Sequence, residues 1–332
     1  MEIANGNGQY VLHIKQRHGE TTERGLLRVD QDVIRSQDSI LELLRDLRRD
    51  NIFANDAPPL PVFSEGAIAP VLNFEPIREH IEMLRRKARH ADELARLLRE
   101  YYDETFLKHL EPLKIFELAA INFLIAEALK PSKTNADFLY VRGISSGDAT
   151  PEELVLMAGG AMKLHALGEV TLIPAEGKEE ITNALTLAYK EGRELFDPLS
   201  RSVSEWTPPA EHEKLHALLR HSRSLSQYQI ILSGLEEYAV TLERTALLKQ
   251  YRERADRVTE LVFIARERKT IERIASYLGQ SSDKVAPMVF GVDHSFTQAV
   301  TEWNNTLGNR LGFVTFTHDT ETAKGHGRAL RP

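Results

Sequence analysis

Three residues of this chain have the chemistry to hold a divalent ion, or to activate water without one: His18, Glu65 and His294. Each follows a short apolar run and is expected at the tip of a strand. Tyr10-Val11-Leu12-His13-Ile14 leads into Lys15-Gln16-Arg17-His18, Leu60-Pro61-Val62-Phe63 into Ser64-Glu65, and Ala286-Pro287-Met288-Val289-Phe290 into Gly291-Val292-Asp293-His294. Two neutral imidazoles and a carboxylate from separate strand tips can bind zinc or manganese with one position open, and an ion so held brings its bound water toward neutral pKa. The same groups act without a metal when one imidazole is the general base, a carboxylate orients it, and an arginine meets the developing oxyanion. Residue types leave both chemistries open, and two unrelated loop histidines are the plain alternative. Glu20, Glu176 and Asp293 stand at similar strand ends as further candidates, Glu176 equally suiting a helix-capping carboxylate.

A second constellation competes with the first. His212-Glu213-Lys214-Leu215-His216 is a His-Glu-x-x-His string on an expected helix. The i, i+4 spacing sets both imidazoles on one face, where they chelate zinc while Glu213 activates water, and Glu236 follows at a spacing that suits a third ligand. The string begins just after Pro208-Pro209 in a charged helix start, whereas a zinc helix packs on a core, so a solvated turn is the plainer reading. His165, among Met162, Leu164 and Leu167, reads as a locally bonded helix residue, and His13 points away from Leu12 and Ile14 within its strand. Gly159-Gly160 inside a helix costs about 1 kcal/mol per glycine relative to alanine. Close helix packing explains the pair, since no Gly-rich loop here has nucleotide-site spacing.

The elements that must position these residues follow from periodicity. Between the first two strands, Val33, Ile34, Ile40, Leu41, Leu44 and Leu47 recur at helical spacing, with acidic residues early and arginines late. Strand, helix and strand make a βαβ unit. Residues 75–129 read as helix in two pieces broken at Pro112, the second apolar nearly all round and therefore buried. A strand is expected at Phe138-Leu139-Tyr140-Val141, and a helix capped by Thr150-Pro151-Glu152-Glu153 ends at Gly168. Val170-Thr171-Leu172-Ile173 is a strand that leads through Pro174-Ala175-Glu176-Gly177 into another helix. From Pro209 to about Leu278 the pattern is helical, with breaks near Ser222–Ser226 and at Gly234, and a last strand is expected at Gly312–Phe316.

The expected fold is therefore α/β, a central mixed sheet flanked by helices, with a long helical insert or arm. Residues 1–208 and 283–317 would form one domain from both chain ends, 209–282 the arm, and 318–332 a polar, disordered tail. In open sheets of this kind, ligands bind at the carboxyl ends of the strands. At 332 residues the chain is long enough to bury a core without crosslinks, and with no cysteine it has no disulfide, thiol nucleophile or thiolate metal site. Its net charge of −7 argues against a nucleic-acid partner, since such affinity rests on clustered Lys and Arg. No basic stretch runs into an apolar leader, and no segment has about eighteen consecutive apolar residues, so a cytoplasmic location without membrane contact is expected. The helical arm suits homo-oligomerisation.

Taken together, three short stretches resemble a known superfamily. Gly291-Val292-Asp293-His294 is a complete Gly-x-x-His, Val62-Phe63-Ser64-Glu65 a strand ending in glutamate, and Glu267-Arg268-Lys269 an arginine-bearing helical stretch ahead of the last motif. Taken in chain order, glutamate strand, arginine-bearing helix and then Gly-x-x-His, they resemble the TIKI/TraB, erythromycin esterase and ChaN-like group, in which a first strand runs into Gly-x-x-His or Gly-Glu-x-x-His. The resemblance spans the chain but leaves the helical segment after 209 without a counterpart. It implies a metal-dependent hydrolase, peptidase-like or esterase-like, acting on a small-molecule or peptide substrate, or a descendant that binds ligand or regulates without turnover. His18, Glu65 and His294 would form the site, with Arg268 stabilising developing negative charge. One position departs from the pattern: Lys15 stands where the first motif has its glycine, although His18-Gly19 is similar to the His-Gly of the erythromycin esterase branch.

Overall fold

A computed structural model describes residues 8–17, 20–21, 27–28, 31–49, 59–65, 67, 69–106, 115–129, 159–221, 225–291, 294–306 and 310–317. The first part of the chain comprises β1 (Gln9–Gln16), β2 (Glu20–Thr21), β3 (Leu27–Arg28), α1 (Gln31–Arg49), β4 (Leu60–Ser64), α2 (Glu75–Lys87), α3 (Ala91–Thr105) and α4 (Ile115–Leu129). Then come α5 (Gly159–Leu167), β5 (Val170–Pro174), α6 (Lys178–Trp206), α7 (Pro209–His221), α8 (Leu225–Glu236) and α9 (Leu242–Thr259). A π-helical turn at Glu260–Ile264 leads into α10 (Ala265–Gln280), followed by β6 (Val285–Gly291), α11 (Thr297–Thr306) and β7 (Leu311–Phe316). The strand expected at 138–141, the helix start at Thr150, the break at Pro112 and the tail from His318 lie outside the described residues.

Among the described residues, five strands form one sheet in the order β5-β4-β6-β1-β7, and β2 and β3 make a small antiparallel pair. Every pairing in the large sheet is parallel, so the expected mixed sheet is replaced by a parallel one. Helix lies between each of its consecutive strands, and such crossovers return the chain in the same direction. The carboxyl ends of all five strands therefore share one edge. None of the described helices is long and apolar enough to cross a membrane.

By contact the chain divides into two units, one of Met1–Ala175, Arg273–Ser295 and Thr306–Pro332, the other of Glu176–Glu272 and Phe296–Asn305. The first holds the sheet. One sheet face is aliphatic: Leu12 and Ile14 of β1, Leu60 and Val62 of β4, Leu172 of β5 and Val289 of β6 pack with Ile40 and Leu44 of α1 and Leu164 of α5. A second core joins α2, α3 and α4 around Ile81, Leu98, Ile121 and Ile125. The apolar α4 is buried as its sequence requires, and its one amide there, Asn122, donates to Tyr102 Oη (3.2 Å) and to the Leu118 carbonyl (3.1 Å). The charged stretch ahead of it is two helices, because His90 caps α3: its Nδ1 accepts from Glu93 N–H (3.2 Å) while Glu93 Oε2 accepts from Arg89 N–H (2.8 Å). In the second unit Leu195, Leu199 and Val203 of α6 pack with Leu215, Ile231, Leu235 and Tyr251.

Two glycines shape α5. At its end Gly168 adopts φ +77°, the Gly168 N–H reaches the His165 carbonyl (3.0 Å) and the Glu169 N–H reaches the Leu164 carbonyl (2.9 Å), which is the Schellman closure. At its start Gly160 lies against α1: a Cβ there would sit 2.5 Å from the Gln37 carbonyl oxygen and 2.9 Å from Leu41 N. Close packing is thus the reason for Gly160, whereas Gly159, at φ +67°, needs the left-handed backbone that glycine allows. Gly160→Ala should destabilise the protein by about 1–3 kcal/mol, the usual penalty for overpacking a tight site, read as a lower urea midpoint. Gly192→Ala in α6, where a Cβ meets nothing within 4 Å, should instead stabilise by about 1 kcal/mol.

Candidate functional site

Register sets the site on the second sheet face. His13, Met288 and Phe63 stand side by side across β1, β6 and β4, and two residues further on, Lys15 pairs with Phe290. Side chains alternate along a strand, so His13 and Lys15 share a face, as do Met288 and Phe290, and Phe63 and Glu65. Glu65 extends β4 by one more rung: its N–H donates to the Val289 carbonyl (3.0 Å) and its Oε2 accepts from Gly291 N–H (2.7 Å). Its Oε1 is 3.5 Å from Nε2 of His294. His294 is buried, its ring edge-on to Phe290 at 5.3 Å, and its own N–H returns to the Gly291 carbonyl (3.1 Å). The last rung of the sheet thus holds Glu65, Phe290 and Lys15 in a row, with His294 against the central ring.

His13 lies one row deeper, fully buried, 6.1 Å from the Phe313 ring. Burial pushes its imidazole down to about 3, Lys15 and His294 push the same way, and Glu65 opposes them. It is therefore neutral beneath the site. Two buried polar residues of α1 fix the end of β1: Ser36 Oγ accepts from Arg17 N–H (3.2 Å), and Gln37 donates to the Arg17 carbonyl (3.2 Å) while its Oε1 accepts from Gly160 N–H (2.9 Å). One glutamine side chain thereby joins β1, α1 and α5.

Of the residues expected at the site, Glu65 and His294 come together. His18 and Asp293 lie outside the described residues, and so does the side chain of Glu20, whose backbone is in β2. Glu176 is buried in the helical unit with both oxygens accepting from Arg266, at 2.5 and 2.8 Å, so it is half of a bidentate ion pair. Arg268 belongs to the same unit and is engaged too. Its Nε and a terminal nitrogen donate to Glu302 (2.6 and 3.0 Å) and the other terminal nitrogen to Glu260 of the π-helical turn (2.6 Å). Arg268 and then Gln298 hold the Glu302 carboxyl down at about 2. The buried member of the Glu267-Arg268-Lys269 stretch is Glu267, which accepts from Phe296 N–H (3.2 Å) at the start of α11.

The rival string lies on α7, where Leu215 is the residue that enters the core. His212 is half-buried, Glu213 is exposed, and the side chain of His216 is outside the described residues. Glu236 is exposed and pairs with Arg252 at 2.8 Å. Lys15 was already singled out in the sequence as the departure from the motif's glycine; the residues that sequence reasoning missed are His13, one row beneath it, and the Ser36–Gln37 clamp. The i, i+2 spacing of His13 and Lys15 was the available signal for a shared face, but only the pairing with β6 brings that face to Glu65.

Chemically, the pair is a fixed carboxylate facing a buried imidazole. Its 3.5 Å separation is long for a hydrogen bond and close to the roughly 3.4 Å that two ligands keep on one tetrahedral zinc with bonds of about 2.1 Å. The two donors thus fit a divalent ion as a pair, while among the described residues no three His, Asp or Glu converge as a complete ligand set. No known family, curated protein or solved structure matches the chain.

The buried His13 links the site to acid stability. An unfolded imidazole takes its proton near pH 6.5, whereas the folded one waits until about 3, so acidification through this window favours the unfolded chain. His13→Leu should therefore lose less stability than the parent protein between pH 6.5 and 4.5, measured as the drop in urea midpoint. Equal drops in the two proteins would mean that His13 carries no proton-linked cost.

Proposed function

We propose that the chain is a hydrolase, peptidase-like or esterase-like, that activates water at Glu65 and His294 on the carboxyl edge of its parallel sheet. The observation behind this reading is the anchored carboxylate. Gly291 N–H holds one oxygen of Glu65, which aims the other at Nε2 of His294 from 3.5 Å. A pair so fixed is pre-organised to remove a proton from water and return it to a leaving group. Its place also supports the reading, since parallel α/β sheets bind ligands at this edge, and the resemblance of the strand-tip motifs points to the same two residues. Zinc or manganese held by His294 and Glu65, with His18 as the third ligand that the resemblance implies, would supply a water of near-neutral pKa. Glu65 would then orient that water while His294 keeps the centre shielded by its burial against Phe290. Arg268, already held by Glu302 and Glu260, receives no role.

Lys15 favours a second reading, a ligand-binding or regulatory protein of the same fold without turnover, because a long cation occupies the place of a small residue. The two separate in one experiment on protein purified without a polyhistidine tag: metal content, and hydrolysis of ester and peptide panels. Glu65→Gln and His294→Ala should each lower turnover by at least about 100-fold. His212→Ala should leave it unchanged. Turnover that survives both strand-tip substitutions would sink the assignment, and loss confined to His212→Ala would move the centre to α7. Metal or ligand binding without hydrolysis of any substrate would favour the second reading.

A further inference from the structure

Both ring nitrogens of His165 face backbone carbonyls. Nδ1 lies 3.1 Å from the oxygen of Val170, the first residue of β5, and Nε2 lies 3.1 Å from the oxygen of Leu72, in the stretch between β4 and α2. The first contact is local, five residues along the chain, as expected of a histidine on this helix, whereas the second spans 93 residues. The ring is partly buried and stands edge-on to Phe74 at 5.5 Å. The Leu72 peptide is also held through its N–H, which donates to Oε1 of Glu117 in α4 (3.2 Å). Val71 packs on the aliphatic sheet core and Leu72 on the core of α2, α3 and α4. Helix α5 divides in the same way, Leu164 entering the first core and Ala166 the second. His165 therefore fastens the seam between the two cores of the sheet-bearing unit.

A carbonyl oxygen can only accept. A neutral imidazole has one N–H, so it donates to one of these oxygens and turns a lone pair toward the other, whereas an imidazolium donates to both. We infer that His165 is a proton-operated latch: the protonated ring clasps Leu72 and Val170 together, and loss of the proton releases the Leu72 carbonyl. Val170 is the contact retained, because the Schellman closure at Gly168 fixes it close to His165 along the chain. The charged groups around the clasp come from every helix packed on it. They are Glu117 of α4 on the same Leu72 peptide, Arg78 of α2 on the Ala166 carbonyl (2.8 Å), and the buried Lys163 of α5, 5.6 Å from the Phe123 ring centroid. Beside Val170 stands Glu169, ion-paired with Arg45 of α1 (2.8 Å), an arginine that also feels Glu127. The latch acts on the stretch that carries the chain away from Glu65, and it stands whether or not Glu65 and His294 activate water.

The test must be local, because the buried His13 makes global stability change with pH in the same window. Amide exchange at Leu72, whose N–H is held by Glu117, is followed by NMR at about pH 7.5 and about pH 5.5, on either side of the ordinary imidazole range, and corrected for the intrinsic pH dependence of exchange. Protection of Leu72 should rise about tenfold on acidification, the worth of one added hydrogen bond from a charged donor. His165→Gln, which keeps an amide donor that does not titrate, should show the same protection at both values. Glu117→Gln keeps an acceptor for Leu72 N–H and should retain the wild-type response. Protection that ignores pH in wild type, or that responds equally in His165→Gln, overturns the latch. A response lost in Glu117→Gln and kept in His165→Gln does so too, by assigning the proton to the carboxylate. Should His165→Gln fail to fold by far-UV circular dichroism, the ring nitrogens of the wild type decide: both should bear protons at the lower pH and one at the higher, and a single neutral tautomer throughout overturns the proposal.

Discussion

The candidate site depends on one junction between two strands. β4 and β6 meet over a short register, and Glu65 prolongs it beyond the strand by giving its N–H to Val289 and taking the N–H of Gly291 on its side chain. A carboxylate completes the ladder where a backbone carbonyl would otherwise stand. The geometry of the acid is therefore the geometry of the sheet, and any shift of β4 against β6 moves Glu65 relative to His294. This is the sense in which a parallel sheet makes a rigid mount for chemistry: the reactive groups are the next hydrogen-bonding positions along the strands.

Much of the fold was legible because hydrophobic periodicity is a local property. The strands at Tyr10, Leu60, Val170 and Ala286 and the buried α4 follow from runs and spacings within a few residues. So does the stop at Gly168, where a left-handed residue is required. The alternation of strand and helix already pointed to parallel strands, but the order of the strands was not legible, since it depends on which strands pair, and each pairing joins segments far apart in sequence. The split between α2 and α3 was hidden for a different reason: it depends on a histidine serving as cap, a role usually filled by Ser, Thr, Asp or Asn.

The pairing of Glu65 with His294 could be anticipated from strand tips, but the state of the other acids could not. Glu176 looks available in sequence, and in the folded helical unit both its oxygens are taken by Arg266. A buried carboxylate is costly unless paired, and a guanidinium in the first turn of a helix some ninety residues away satisfies that requirement without any local signal. Glu267 is similar. Its carboxylate meets the N–H of Phe296, a fully buried residue held at φ 60°, a backbone conformation that costs of order 1–3 kcal/mol outside glycine and persists only where the surroundings enforce it. Charge type is written in the sequence, whereas whether a charge remains available for chemistry depends on partners that the fold brings from elsewhere.

The order of strands also has a consequence for how the protein is made. β1 pairs on one side with β6 and on the other with β7, so Tyr10 waits for Val285 and Gly312. At the usual pace of synthesis that delay is tens of seconds, far longer than a helix or a hydrophobic cluster needs to form. Val11, Leu12, His13 and Ile14, all buried in the finished sheet, leave the ribosome with neither neighbour in existence. The helical segments between them can condense first, and the sheet closes last, around a strand that was synthesised first. A newly made chain must therefore shield that strand, by transient packing or by a chaperone, until its partners emerge.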